Sequence, residues 1–237
     1  MRQLHHPLPE GPIPAELDVD REVRHRLERV LRLPLGSLLT LADGTGRRVQ
    51  VRWHGAHFRV EAAPTQAQAR PTHIELAVGL IKGERWDWLI EKATEVGVDR
   101  IVPLQLEHCV VRVDAAKAVD KTARWQAIAT EAFEQCGRDR LPEVSAPQRL
   151  EAWLDTLAGV TLAVCDERGA PTPLLALAGK HPQRLVILVG PEGGLTESER
   201  QRVLAAGAVP VTLGRDVLRA ETAALVAVAL ARQGADR

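Results

Sequence analysis

The sequence predicts an α/β protein in two parts: a small β-rich module, then a larger domain built on a parallel sheet with helices on both faces. Three observations predict it. After residue 71, apolar runs of strand length alternate with helical stretches, the pattern of strands buried on both faces and joined by crossover helices. Before residue 61 the runs are shorter and broken by turn residues, and Val49, Val51 and Trp53 alternate with Arg48, Gln50 and Arg52, as in a half-buried strand. Between the two, residues 62–71 (AAPTQAQARP) are small, polar and proline-bounded, which reads as a linker. The predicted domains are therefore residues 1–70 and 71–237.

Taken in order, residues 21–33 predict a helix with Val23, Leu27, Val30 and Leu31 on one side and Arg24, Arg26, Arg29 and Arg32 around the other. Leu38, Leu39, Thr40 and Leu41 lead into Asp43-Gly44-Thr45-Gly46 and then the alternating run at 48–53, a hairpin signal; a third strand is predicted at 57–61. The second part predicts strands at 73–80, 101–106, 143–145, 161–165, 185–189 and 209–213. Helices are predicted at 85–96, 118–135, 149–157, 173–178, 197–206 and 220–232. Two helix boundaries carry their own signals. Thr196 followed by Glu199 forms a capping box, with Gly207 placed to end that helix. Gly97 likewise closes the helix carrying Trp86, Leu89, Ile90, Ala93 and Val96.

Of the 237 residues, 45% are hydrophobic and 26% charged, which excludes disorder as the overall state. The longest apolar run, Ala223 to Ala231, is far short of the roughly 20 residues that cross a bilayer. The opening MRQLHHPLPEGPIP carries no apolar stretch of signal-peptide length, so a cytoplasmic protein is expected. Cys109, Cys136 and Cys165 form no C-x-x-C pair, so neither a disulfide framework nor a metal site is expected. Net charge is zero but uneven, since the first 70 residues hold 11 Arg against 8 acidic residues. Basic side chains are mostly Arg, 26 against 5 Lys. Arginine suits bidentate phosphate contacts, although genome base composition explains the same excess, along with the abundant alanine.

Three segments could carry chemistry. The apolar run at 185–189 ends in Gly190-Pro191-Glu192-Gly193-Gly194 and then the capped helix. Ligands of open α/β sheets bind at the carboxyl ends of strands, and glycines let backbone groups approach a ligand closely. Neither G-x-G-x-x-G nor the P-loop pattern occurs, which disfavours dinucleotide and P-loop chemistry; a plain tight turn is the competing reading. The second segment, Leu213-Gly214-Arg215-Asp216-Val217-Leu218-Arg219-Ala220-Glu221, again follows a strand, and Arg219 with Glu221 also reads as a local ion pair. The third is a helix end with an arginine-rich turn, Gln135-Cys136-Gly137-Arg138-Asp139-Arg140, where arginine also suits the helix dipole. Cys136 has no His within 25 residues on either side, which leaves a nucleophilic role without a local base.

Assembled, these segments resemble the SPOUT-class ribosomal RNA uridine-N3 methyltransferases of the RsmE type. The resemblance spans the whole chain: Met1-Arg2, His25, Val30-Leu31-Arg32, Gly36, Asp43-Gly44, Lys92-Ala93-Thr94-Glu95-Val96-Gly97-Val98, Arg124-Trp125, Glu131-Ala132, Gln135 to Arg138, Gly190 to Gly194, Leu213-Gly214 and Leu218 to Ala223. Arg26 stands where members often show a second His, and Cys136 where many show Ser. The resemblance implies an N-terminal PUA-like β-barrel and a C-terminal SPOUT domain with a trefoil knot, a topology no general rule of chain connection would propose. It implies a homodimer that uses S-adenosylmethionine to methylate N3 of a specific uridine in small-subunit (16S) ribosomal RNA, within the assembled 30S subunit. By the same resemblance, Cys165, Gly190, Glu192, Gly193, Gly194, Leu213, Gly214, Leu218 and Arg219 bind the cofactor. Arg2, Arg24, Arg32, Gln135 and Arg138 face RNA.

For N3 methylation, a ring nitrogen must lose its proton and attack a sulfonium methyl. Arg138 and Arg219 are candidates to stabilise charge on O2 and O4, and Glu192 or Glu221 to accept the proton or orient an arginine. Two other readings stand beside this one: a SPOUT enzyme acting elsewhere, such as a ribose 2′-hydroxyl in transfer RNA, and a non-catalytic RNA-binding assembly factor. With five Trp, two Phe and no Tyr, RNA recognition is expected to rest on arginine–phosphate contacts and RNA shape. Affinity for ribosomal RNA should therefore fall steeply with salt in a filter-binding titration; a flat response would contradict it.

Overall fold

A computed structural model describes residues 2–166 and 170–236; Met1 of the opening Met1-Arg2 pair lies outside them. The chain divides into two units, Met1–Ala69 with Phe133–Leu141, and Arg70–Ala132 with Pro142–Arg237. The boundary differs from the expected 70/71 division, because nine residues from the middle of the chain are counted with the N-terminal unit.

The N-terminal unit contains β1 (Arg2–His5), β2 (Glu16–Asp18), α1 (Arg21–His25), β3 (Leu38–Ala42), β4 (Arg47–Trp53), β5 (His57–Val60) and β6 (Thr65–Gln66). Its sheet runs β1-β3-β4-β5-β2, with β6 paired to β4; β1 and β3 are parallel and the other pairings antiparallel. The alternation in β4 works as its side chains dictate: Val49, Val51 and Trp53 are buried with Leu39, Leu41, Leu4, Leu17, Leu27 and Phe58. The β3–β4 turn is held by Asp43, whose Oδ1 accepts from Thr45 N and Thr45 Oγ1, both at 2.8 Å. Gly44 takes φ +80 in that turn, a conformation costly to side chains bearing a Cβ. The stretch read as linker in fact contributes β6.

The helix expected at 21–33 is shorter. Asp20 caps α1, its Oδ1 accepting from Val23 N at 2.7 Å. The chain then opens into a π turn, Arg26–Val30, and Arg32 reverses it at φ +49. Pro34 follows Leu33, and a helix does not continue through the residue before a proline. The wider turn buries Leu27 and leaves Val30 66% exposed, so Val30 does not join the apolar face assigned to it. The segment Phe133–Leu141 is tied into this unit by Gln3 Nε2, which donates to Arg138 O at 2.8 Å. Glu134 also joins it, pairing with Arg26 and accepting from His5 N at 2.9 Å. These partners are more than 100 residues apart in the chain, which is why spacing alone missed them.

The C-terminal unit contains β7 (His73–Gly79), α2 (Gly83–Val96), β8 (Arg100–Gln105), α3 (Ala115–Cys136, its last turn counted with the other unit), β9 (Glu143–Val144), β10 (Gln148–Arg149), α4 (Leu150–Leu154), β11 (Thr161–Cys165), β12 (Thr172–Pro173), α5 (Leu174–Ala178), β13 (Arg184–Val189), α6 (Glu197–Ala205), β14 (Val209–Thr212) and α7 (Ala220–Ala235). Its sheet runs β10-β8-β7-β13-β11-β14-β12, with β9 beside β8, and the pairings are parallel. In β7, Ile74, Glu75, Leu76, Ala77 and Val78 are consecutive and all buried. Successive side chains point to opposite faces, so both faces are covered. No helix among the described residues is long and apolar enough to cross a membrane.

The terminal helix α7 packs against α2, α5, β7 and β13. Its buried Arg232 ties it to the start of the sheet. Nη2 donates to Gly97 O and Asp99 Oδ2, both at 2.6 Å, and Nη1 to Thr72 O at 3.1 Å. Asp99 Oδ2 in turn accepts from Ile74 N at 2.9 Å. Removing this guanidinium leaves a buried carboxylate and two carbonyls short of a donor. Arg232→Met should therefore cost about 3–5 kcal/mol in urea unfolding; a loss under about 1 kcal/mol would show that the tie carries little.

Candidate active site

Three strands that lie side by side, β13, β11 and β14, run parallel and end on the same edge of the sheet. Their trailing loops therefore meet there. Residues 190–195 follow β13, Asp166 follows β11, and residues 213–219 follow β14. They enclose a cavity of about 1140 Å³. The elements that bring them together are also those with the clearest sequence signals, the apolar strands and the capped helix α6.

The glycine loop is shaped by close approach. A Cβ on Gly79, at the end of β7, would lie 2.7 Å from Pro191 Cδ, and one on Gly193 would lie 2.9 Å from His108 Cβ. His108 Nδ1 is 2.8 Å from Gly193 O and 3.2 Å from Gly194 O. Two carbonyl acceptors require that nitrogen to carry the proton. The capping box forms as expected: Thr196 N donates to Glu199 Oε2 at 2.9 Å, and Glu199 N to Thr196 Oγ1 at 3.2 Å. The other carboxylate oxygen of Glu199 accepts from Glu107 N at 2.8 Å, so one buried side chain fixes the start of α6 and the loop after β8 together.

On the neighbouring strand ends, Asp166 Oδ2 pairs with Arg200 Nη2 at 2.9 Å. Thr212 Oγ1 donates to Gly214 O at 2.8 Å, closing the end of β14. Burial pushes the Cys165 thiol up to about 12, so it stays a neutral thiol at neutral pH. Arg85, in the first turn of α2, stands between two carboxylates. Its Nη1 is 4.0 Å from Glu192 Oε1 and its Nε 3.8 Å from Glu221 Oε1. Glu221 is only 8% exposed, and its Oε2 has no hydrogen-bond partner.

Of the residues named from sequence, Cys165, Gly190, Glu192, Gly193, Gly194, Leu213, Gly214, Leu218 and Arg219 all line this cavity. Glu221 sits behind the wall at the start of α7 and reaches it through Arg85. Arg2, Arg24, Arg32, Gln135 and Arg138 belong to the N-terminal unit. The first four are exposed, whereas Arg138 is buried. Sequence reasoning missed Arg85 and His108, which line the wall from outside the glycine segments. Arg85 follows β7 in the first turn of α2 and His108 follows β8; a polar side chain in the segment after a buried strand was the available signal. Among the described residues, no group of three or more His, Cys, Asp or Glu is arranged to hold a metal ion.

The cavity offers a glycine-rich backbone cradle and side chains of both charges, a setting for a small polar ligand with charged groups. Comparison with known proteins narrows the reading. The sequence matches the RNA methyltransferase domain family over residues 68–232. It is 35% identical over 229 residues to ribosomal RNA small subunit methyltransferase E of Synechocystis sp., covering 93% of this chain and 74% of that protein. It is 32% identical over 219 residues to the protein of the same name from Mycobacterium tuberculosis, covering 89% and 83%. Its fold is similar to that of a Neisseria gonorrhoeae ribosomal RNA small subunit methyltransferase E bound to S-adenosyl methionine, with a TM-score of 0.84 and 30% identity over 97% of this chain and 95% of that one. A Legionella pneumophila protein solved with bound S-adenosylmethionine aligns at a TM-score of 0.83 and 29% identity over 97% and 96%. With the family model and the Synechocystis relative both covering most of its length, the chain belongs to the ribosomal RNA small subunit methyltransferase E family.

Proposed function

We propose that this protein methylates N3 of a specific uridine in 16S ribosomal RNA, using S-adenosylmethionine. The observation that carries the reading is the cavity on three adjacent strand ends, in a family with a member solved holding that cofactor. The residues present fit it. Gly193 lies too close to His108 to carry a side chain and Gly194 takes φ +68, so this loop presents backbone to the cavity. Glu192, on the exposed part of the loop, offers a carboxylate to a cationic ligand. When bound, S-adenosylmethionine supplies a methyl group already activated on sulfur.

The protein's part is positioning, proton removal and charge stabilisation. Gly190, Gly193, Gly194, Leu213, Gly214 and Leu218 hold the cofactor, beside Cys165. Glu192 lines the wall and accepts the N3 proton; Glu221, enclosed behind it, acts through Arg85. Arg219, exposed at the cavity, donates to the uracil oxygens as negative charge develops there. Methylation at nitrogen needs no covalent cysteine step, in keeping with the neutral Cys165 thiol. In the same reading, residues 1–70 form a PUA-like barrel that holds RNA through Arg2, Arg24 and Arg32, and Gln135, in the last turn of α3, and Arg138, just after it, also face RNA. Residues 71–237 form a SPOUT domain whose C-terminal segment is knotted. The enzyme is a cytoplasmic homodimer acting on the 30S subunit.

Labelled methyl transfer to purified small subunits lacking the modification, followed by mass spectrometry of the digested RNA, tests the proposal. The expected product is 3-methyluridine. Ribose methylation, or binding of the cofactor with no transfer to RNA, contradicts it and favours another SPOUT activity or an assembly factor. Arg138 is the second arginine proposed to donate to the uracil oxygens, so Arg138→Ala should slow transfer by about 100- to 1000-fold with cofactor affinity nearly unchanged in calorimetry; unaltered turnover removes Arg138 from the chemistry.

A further inference from the structure

The charges around Arg85 bear on the cofactor as well as on the uracil proton. Among the described residues, and leaving out Arg85 and Glu192, the charges on the wall balance: Arg200, Arg215 and Arg219 stand against Asp166, Glu197 and Asp216. Arg85 faces two carboxylates, one from the glycine loop and one from the start of α7. At 4.0 and 3.8 Å both contacts are ion pairs beyond hydrogen-bond length, so the guanidinium is shared between the two carboxylates. Glu221 is buried with one oxygen lacking a partner among the described residues, and Arg85 pairs with its other oxygen. Glu192 and Arg85 on the wall, with Glu221 enclosed behind them, thus form a trio with a formal charge of −1, while the other described charges of the wall cancel.

We infer that the Glu192–Arg85–Glu221 trio is a charge selector, favouring the cationic methyl donor over the uncharged thioether left after transfer. This rests on the reading of S-adenosylmethionine as cofactor. Transfer of the methyl removes one positive charge from the bound sulfur and changes its shape little, so shape alone separates the two forms poorly. A fixed net negative charge separates them by sign. It attracts the sulfonium and has no comparable hold on the neutral sulfur, in a partly desolvated cavity where such differences are larger than in water. Arg85 sets the strength of the selector. Without it, Glu192 on the wall and Glu221 behind it would be uncompensated and repel one another; with two arginines the preference would vanish.

The test is calorimetric binding of S-adenosylmethionine and S-adenosylhomocysteine to the full chain, in the native protein and in Glu192→Gln, Glu221→Gln and Arg85→Met. Either Gln variant makes the trio neutral. Each should weaken the donor roughly three- to tenfold while leaving the product within about twofold. Arg85→Met makes the charge more negative and should shift the ratio in the opposite direction, toward the donor. A role confined to holding the loops in shape would move both ligands together and in the same direction for all three variants. Thermal unfolding with and without ligand separates misfolding from altered selectivity. If Glu221→Gln does not fold, Glu192→Gln, on the exposed loop, carries the test. Equal changes for the two ligands, or a ratio that Arg85→Met and Glu192→Gln shift the same way, overturns the inference. Failure of the native protein to bind either ligand overturns the cofactor reading instead.

Discussion

Parallel pairing of β13 with β11 and of β11 with β14 is the constraint from which the site follows. Strands in parallel register must end on one edge, and each must hand over to a loop there. Much of the cavity lining in the C-terminal unit comes from those loops. One strand end carries glycines and a carboxylate, the next the half-buried Cys165 and Asp166, the third Leu213, Gly214 and the approach to α7. The apolar strands supply the rigidity. Ile187, Ala163 and Val211 are wholly buried, so a loop anchored to them starts from a fixed point.

Rigidity at strand ends does not by itself order a loop rich in glycine, whose backbone loses more freedom on ordering than any other. The structure counters this with ties from outside the loop. Pro191 is wedged against Gly79, His108 reaches two carbonyls, and Glu199 bonds both Thr196 and the chain at Glu107. The site is thus held in shape while its backbone and the Glu192 side chain remain available to a ligand.

How much of this was legible in the sequence depended on range. Thr196 and Glu199 are three residues apart, Gly97 follows its own helix, and Val49, Val51 and Trp53 alternate within one strand; each rule acts over a few residues and each element formed where expected. The nine residues that line the cavity were named through resemblance, and what local rules supplied was the reason glycine and a strand end belong together. Partners distant in the chain left no such trace. Gln3 meets Arg138 across 135 residues and Glu107 meets Glu199 across 92, so neither the makeup of the N-terminal unit nor the second duty of Glu199 was readable. The strands β1, β2 and β6 are only two to four residues long, too short for periodicity to register. The helix at 21–33 failed for a different reason: its apolar spacing suited a helix, but Pro34 and the reversal at Arg32 ended it early.

The claim on which the functional reading depends is that backbone on three neighbouring strand ends grips the methyl donor. Amide hydrogen exchange with and without saturating S-adenosylmethionine measures that grip directly. Slowed exchange concentrated at residues 190–195, 165–166 and 213–219, with the N-terminal unit unaffected, is the predicted result. Unchanged exchange in those loops, or protection confined to residues elsewhere, would contradict it.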